Sequence, residues 1–323
     1  MNNWFVCIFI TILLWAMTGL IYKAGIHKDA EKYTGLKYSV SVGVVFLVIS
    51  LFYLITRDEA FTIWESALRY WPMTAFGIIY FVINTISFNG YIYNEVTVES
   101  PVEGISGGTS TVLLIGVYLI MGRVDSISEL LTPLRTTGIL IILFSIILLA
   151  SVRNREAKSR EECEPDAQRA SWKWRGLGTL IFTVMFSMVD ALETVITGVC
   201  LDTTYGYSMP AGDSIIIIGM EYAILAFGCW IYIYVKEREF YSPLKKENLP
   251  RLLGSVTDNV GIVFYSYAMA VDSVSTDPVL AIYPLFTMLG GRIFMKEKVT
   301  PVQYISAICI VAGSIMVVTD AVI

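Results

Sequence analysis

Carboxylates in the middle of long apolar stretches are the residues of this sequence that most need a chemical explanation. Asp190 and Glu193 fall inside the stretch 176–199, Glu221 inside 213–235 and Asp258 inside 250–271. If those stretches cross a bilayer, each carboxylate at the centre costs about 2.5–3.5 kcal/mol on insertion scales, and such groups face a protein interior or a wet cavity. Together they need an offset on the order of 10 kcal/mol, from bound cations or from protonation. Lys23, Lys37, Arg135, Arg251 and Arg292 all lie near stretch ends, so no basic side chain is placed to neutralise them at depth. The chemistry this points to is binding of a cation or a proton.

Spacing puts further polar groups on the same helical faces. Thr183, Ser187, Asp190, Thr194 and Thr197 follow steps of four and three, as do Tyr80, Asn84, Ser87 and Tyr91; both series describe one face of a helix. Asp258, Gly261 and Tyr265 give an equivalent stripe. Three polar stripes on apolar helices predict a shared aqueous cavity. Trp15, Tyr91 and Tyr265 offer ring faces for a cation, or act as packing residues. Asn84 is either a cavity residue or an interhelical hydrogen bond worth ~0.6–2 kcal/mol.

Other chemistries have little to work with. His27 is the single histidine and lies in a loop, and the five cysteines (Cys7, Cys163, Cys200, Cys229 and Cys309) form no CxxC pair. Histidine-based acid–base catalysis, His/Cys metal sites and a disulfide framework are therefore not expected. No GxxxxGK[ST] loop is present, no basic–aromatic interleaving points to nucleic acid, and no cofactor is implied.

The elements that must position these groups are membrane spans. Charged residues make up 16% of the chain, against roughly 25% for a soluble domain, and mean hydropathy is +0.65. A span needs ~20 mostly apolar residues. Such runs predict spans at 4–23, 37–56, 71–91, 103–121, 131–151, 176–199, 213–235, 250–271, 277–295 and 301–320. The first of them is expected to be a permanent span rather than a cleaved signal peptide, since no basic region precedes it. The fold class expected is all-α, a polytopic membrane protein of about ten transmembrane helices.

Between the halves lies one long polar stretch, Val152–Arg175, with seven basic and five acidic residues. It divides the chain into a first five-helix unit (1–151), a charged connector (152–175) and a second five-helix unit (176–323). Of the 23 Lys and Arg residues, 19 fall in or beside the loops after the odd-numbered spans; Arg57, Arg69, Arg123 and Arg135 are the exceptions. Basic residues accumulate on the cytoplasmic side, which predicts a multi-pass protein of the plasma (inner) membrane with a cytoplasmic connector and external termini. The loop carrying Glu95 and Glu99, and the loop carrying Asp272 and Asp277, contain no Lys or Arg. Read as mouths, they would concentrate cations; the alternative is ordinary solvated helix ends.

The halves also look alike. Gly90-Tyr91-Ile92-Tyr93 followed by Glu99-Ser100-Pro101-Val102 corresponds to Phe264-Tyr265-Ser266-Tyr267 followed by Thr276-Asp277-Pro278-Val279. That register sets Asn84 opposite Asp258. Gly138 and Ser145 likewise fall opposite Ser306 and Gly313. A repeat with an odd number of spans enters the membrane from the opposite face, the inverted arrangement that secondary transporters use for alternating access.

With these motifs, and with the ending Met295-Lys296-Glu297-Lys298-Val299-Thr300-Pro301-Val302-Gln303, the chain resembles the drug/metabolite transporter superfamily in its ten-helix EamA-like branch. Glu297 matches the carboxylate of the turn between the last two spans, and Gly313 the glycine of the final helix. The first half departs from the pattern: Arg123-Val124-Asp125 stands where the glutamate turn is expected, and Gly107 replaces a second proline. The resemblance implies a secondary carrier of small metabolites and not an enzyme. Combined with the carboxylates, it leads to a carrier of a small organic cation or amine, driven by a proton or sodium gradient. Asp190, Glu193, Glu221, Asp258, Asn84, Tyr91, Tyr265 and Trp15 are the candidate binding residues. Carriage of a neutral or zwitterionic metabolite, with the carboxylates as proton relays, is the runner-up; a non-transport polytopic membrane protein is the alternative from another class. The expected partners are the lipid bilayer, the small-molecule substrate and the coupling ion; oligomeric state stays open.

Overall fold

Proline and glycine punctuate the helices of this chain. The computed structural model describes residues 2–25, 33–57, 62–88, 105–145, 148, 185–280, 282–296 and 300–322. We number its helices α1 (Asn2–Ala24), α2 (Thr34–Thr56), α3 (Ile63–Arg69), α4 (Trp71–Ser87), α5 (Ile105–Ile120) and α6 (Ile127–Leu130). They continue with α7 (Pro133–Ser145) and α8 (185–201). The remainder are α9 (Ala211–Glu237), α10 (Leu249–Val271), α11 (Ser273–Leu280), α12 (Tyr283–Phe294) and α13 (Pro301–Val322). Pro72, Pro250 and Pro284 occupy the first turns of α4, α10 and α12, where the missing N–H would have had no partner.

All the described secondary structure is helical, and α1, α2 and α9 are each long and apolar enough to cross a membrane. The outer surface agrees with that role. Ile120, Ile55 and Ile224 are 87%, 80% and 73% exposed, whereas serine, threonine and aspartate side chains fill much of the interior. An apolar belt around a partly polar interior suits lipid as the surrounding solvent. This is a polytopic membrane protein.

The expected span at 277–295 is instead broken. Helix starts at Ser273, with Asp272 alone between it and α10, runs to Leu280, and resumes at Tyr283 after a turn at Ile282. Pro278 lies inside α11 and Pro284 lies just beyond its end, and each removes a backbone donor. Three-residue hydrogen bonds, Ile282 N to Val279 O (3.2 Å) and Leu285 N to Ile282 O (3.0 Å), bridge the interruption. The residues 272–276, read from sequence as a loop, are therefore mostly helix, and Asp272 caps it by accepting the Ser275 N–H at 2.9 Å. The third span ends at Ser87; the charged connector 152–175, the repeat tyrosine Tyr91, Glu95, Glu99 and Glu297 lie outside the described residues.

Packing joins helices from before and after the connector. Helix α1 lies along α10, α2 along α9 and α5 against α11. Small residues permit the approach. A Cβ on Gly43 of α2 would strike Ala226 of α9, and one on Gly219 would strike Ser50. Gly138 of α7 and Gly313 of α13 meet backbone to backbone, a Cβ on either falling 2.6 Å from the other's carbonyl oxygen. Tyr80 of α4 packs against Phe186 of α8 with the rings tilted and their centroids 5.5 Å apart.

Ion pairs tie the helix ends. Lys37 reaches Glu237 at 3.2 Å, and Arg57 pairs with Asp213. Arg135 contacts Asp320 at 3.1 Å and Asp272 at 3.7 Å. The acidic mouth expected at Asp272 and Asp277 is corrected by these contacts: Arg135 arrives from α7 to neutralise Asp272, and Asp277 is buried at 6% exposure.

Candidate functional site

The interleaved helices enclose a cavity of 150 Å³, a volume that elsewhere accommodates a benzene-sized molecule. Asp190 and Glu193 of α8, Asp258 of α10 and Asp277 of α11 all line it, and no Lys, Arg or His among the described residues does. Asp190, Glu193, Thr194 and Thr197 reach it together because steps of three and four share a helical face. Thr197 donates to Glu193 Oε1 at 2.6 Å, and Ser106 lies beside Asp190. Tyr22 stands between Ser255, 3.4 Å from its hydroxyl, and the Asp258 carboxylate.

Aromatic rings form one side. Trp15 of α1 lies 5.3 Å from Tyr265 and 5.9 Å from Tyr283 between centroids. Its indole N–H donates to the Asp258 carbonyl at 3.3 Å, which fixes the ring over the cavity. Gly261 makes this possible, since a Cβ there would fall 2.5 Å from the indole nitrogen. Gly254, two turns earlier in α10, makes the same room for Tyr22.

Of the residues expected from sequence, Asp190, Glu193, Asp258, Asn84, Tyr265 and Trp15 line this one cavity, while Tyr91 lies outside the described residues. Glu221 is not among the lining residues. Neighbouring positions on a helix point about 100° apart. Tyr222 faces the cavity and packs on Phe46 and Phe81. Glu221 consequently turns to α4, where its Oε2 would lie 2.7 Å from a Cβ on Gly77. Thr74 is its polar neighbour, and neither carboxylate oxygen meets hydrogen-bond geometry with a partner among the described residues.

The stripe through Tyr80 and Asn84 reaches the cavity as expected, whereas sequence reasoning missed Asp277, Tyr22, Tyr222 and Tyr283 as members of one site. Asp277 accepts from Ser110 at 2.5 Å and from Tyr265 at 3.0 Å. Its repeat partner Ser100 and the Pro278–Pro284 spacing were the signals available: two prolines six residues apart cannot lie in one unbroken helix.

Comparison with known proteins follows the same line. No curated protein sequence matches this chain. A solved structure titled only "Crystal structure of protein" superposes with a TM-score of 0.64 over 98% of each chain, at 13% sequence identity, which shows a shared fold alone. Residues 203–319 match the EamA-like transporter family, whose members are membrane transporters of small molecules and not enzymes. In this membrane-embedded chain, residues 203–319 are thus similar to the EamA-like transporter family, consistent with the drug/metabolite transporter superfamily.

Proposed function

We propose that this protein is a secondary active transporter of the plasma membrane that moves a small organic cation or amine in exchange for, or together with, a proton or sodium ion. The observation that carries this reading is the composition of the cavity wall: four carboxylates and several aromatic rings, with no cationic side chain among the described residues. Such a wall favours a cation twice, by charge complementarity and by contact with ring faces worth ~0.5–2 kcal/mol. The cavity volume limits the cargo, in this conformation, to compact molecules.

Choline and its uncharged carbon isostere dimethylbutanol have nearly the same shape and differ in charge. The purified protein should gain thermal stability with millimolar choline and little with dimethylbutanol. Equal shifts from both would favour the neutral-metabolite reading, and no shift from either would remove choline-like cations from the proposal.

The two inverted five-helix repeats, 1–151 and 176–323, belong to the same proposal. They are supported by the pairing of helices across the connector and by the Gly138–Gly313 crossing. We place the connector in the cytoplasm and both termini outside, on the basic-residue count. Cys163, outside the described residues, supplies a native probe. A membrane-impermeant thiol reagent should leave it unlabelled in intact cells and modify it after permeabilisation. Rapid labelling of intact cells would invert the topology.

A further inference from the structure

We propose that Asp277 is the residue that takes up and releases the coupling proton, a task separate from that of the carboxylates that meet the substrate. The assignment rests on the transport reading above. Asp277 sits in the short half-helix α11 (Ser273–Leu280), ahead of the turn at Ile282. Both of its oxygens are engaged: Ser110 of α5 donates to Oδ2 at 2.5 Å and Tyr265 of α10 donates to Oδ1 at 3.0 Å. Each donor has a second acceptor in reach. Ser110 Oγ is 2.9 Å from the Gly107 carbonyl, and the Tyr265 hydroxyl is 3.3 Å from Thr194 Oγ1.

This arrangement accommodates a proton without orphaning any buried group. With Asp277 ionised, both hydroxyls point at it. With Asp277 protonated, its O–H donates to Ser110 Oγ, and the Ser110 hydrogen turns to the Gly107 carbonyl. Tyr265 either keeps its bond to the other oxygen or turns to Thr194. Leaving a buried donor or acceptor unmade is what normally opposes a change of protonation in a protein interior, and here both states are fully bonded. The exchange is a proton transfer only: one proton arrives from water through the cavity and one leaves by the same carboxyl.

The proton also changes what holds the helices together. Hydrogen bonds to an ionised carboxylate are roughly twice as strong as neutral ones, so protonation loosens the tie between α5 and α11. These backbones are in direct contact, because a Cβ on Gly107 would fall 2.9 Å from the Asp277 carbonyl oxygen. Helix α11 is a short separate element, set off from α12 by the turn at Ile282 and from α10 by Asp272 alone.

The groups facing Asp277 are all compatible with this role. Asp190 and Glu193 act on it from α8 and Tyr265 from α10. Helix α5 presents the hydroxyl of Ser110, and α1 reaches α11 through Trp4, bonded to Thr276 at 3.0 Å. On α13, Asp320 is engaged by Arg135, which also holds Asp272 at the start of α11. An arriving cation beside Asp190 or Glu193 would favour loss of the Asp277 proton, which is the linkage an antiporter requires.

Choline in proteoliposomes is the transport probe. Under a pH gradient the D277N variant should lose choline accumulation by about tenfold or more, while choline–choline exchange persists. Accumulation like that of the unaltered protein, or accumulation driven by a sodium gradient instead, would overturn the assignment. Infrared difference spectra across pH give a readout that needs no cargo: one of the protonated-carboxyl bands of the unaltered protein should be missing in D277N, and an unchanged set of bands there would also overturn the assignment. If the unaltered protein fails to move choline, the transport reading for that cation falls and the infrared arm alone judges Asp277. S110A, which keeps the carboxylate, covers poor folding of D277N; it should displace the pH profile of exchange and of the infrared band, and unaltered profiles would count against the hydroxyl switch.

Discussion

Asp258→Asn should weaken choline binding by about 2–5 kcal/mol, the cost of removing one partner of a desolvated charge pair, and should leave dimethylbutanol binding almost unchanged. The geometry selects Asp258 for this effect. Its own carbonyl anchors the Trp15 indole, and Trp15 in turn contacts Tyr265 and Tyr283. A cation paired with the Asp258 carboxylate therefore meets ring faces already oriented by the same helix. The amide keeps the size of the side chain and can still accept from Tyr22, so shape and packing are retained while the charge is removed. Asp190→Asn and Glu193→Gln should have smaller effects if those groups serve the field of the cavity rather than direct contact. Isothermal titration of both probes against the three variants decides the matter. An equal loss for the charged and the neutral probe would mean that Asp258 supports the site's shape, and the cation reading would lose its main residue.

What the sequence revealed of this site follows from how a membrane constrains residues. A carboxylate such as Asp258 is conspicuous because burial in an apolar helix is costly, and its stripe with Gly261 and Tyr265 follows from helical periodicity. Glu221 was equally conspicuous, yet it turned out to face α4. Depth along a helix can be read from hydropathy, but facing direction depends on the neighbour, and one residue's step sent Tyr222 to the cavity instead. Asp277 was misplaced for the opposite reason: it follows Ser and Thr residues and precedes a proline, a pattern that resembles a solvated loop. Only the packing of α5 against α11 buries it. The tyrosines 22, 222 and 283 carried no signal of their own, since aromatic residues within spans serve packing and ligand contact alike, whereas Tyr80 was marked by its stripe with Asn84.

The helix ends show a comparable division. Span positions followed from apolar run length, and the longer described helices overlap those runs, whereas the short α3 and α6 lie between them. The break between α11 and α12 did not, because an apolar run measures only the solvent around a segment and not the continuity of its backbone hydrogen bonds. Broken helices inside membranes are tolerated where the freed backbone groups are enclosed by protein, and α11 meets this condition: every one of its residues is buried. The same enclosure is what places Asp277 against Ser110 and Tyr265, so the interruption and the site have one physical origin.

That enclosure is held at its start by Arg135, and Arg135→Met should be the most damaging single change among the ion pairs. The guanidinium bonds Asp320 Oδ2 at 3.1 Å and the Leu130 carbonyl at 3.1 Å, and lies 3.7 Å from Asp272 Oδ2. The side chains of Arg135 and Asp320 are 14% and 12% exposed, too little for water to replace the partner. Removing the cation leaves two carboxylates facing each other across α10, α11 and α13, and breaking a buried pair in this way costs about 3–5 kcal/mol. The damage should be local at first, because Asp272 is the only residue between α10 and α11. Amide exchange in 273–280 should accelerate before the rest of the bundle unfolds. Adding Asp272→Asn and Asp320→Asn to Arg135→Met removes the unpaired charges and should recover most of the lost stability in a denaturant titration in detergent. If Arg135→Met alone unfolds at the same denaturant concentration as the unaltered protein, or if the triple variant recovers nothing, then α11 is held by its apolar and hydroxyl contacts and the ion pairs at its start are incidental.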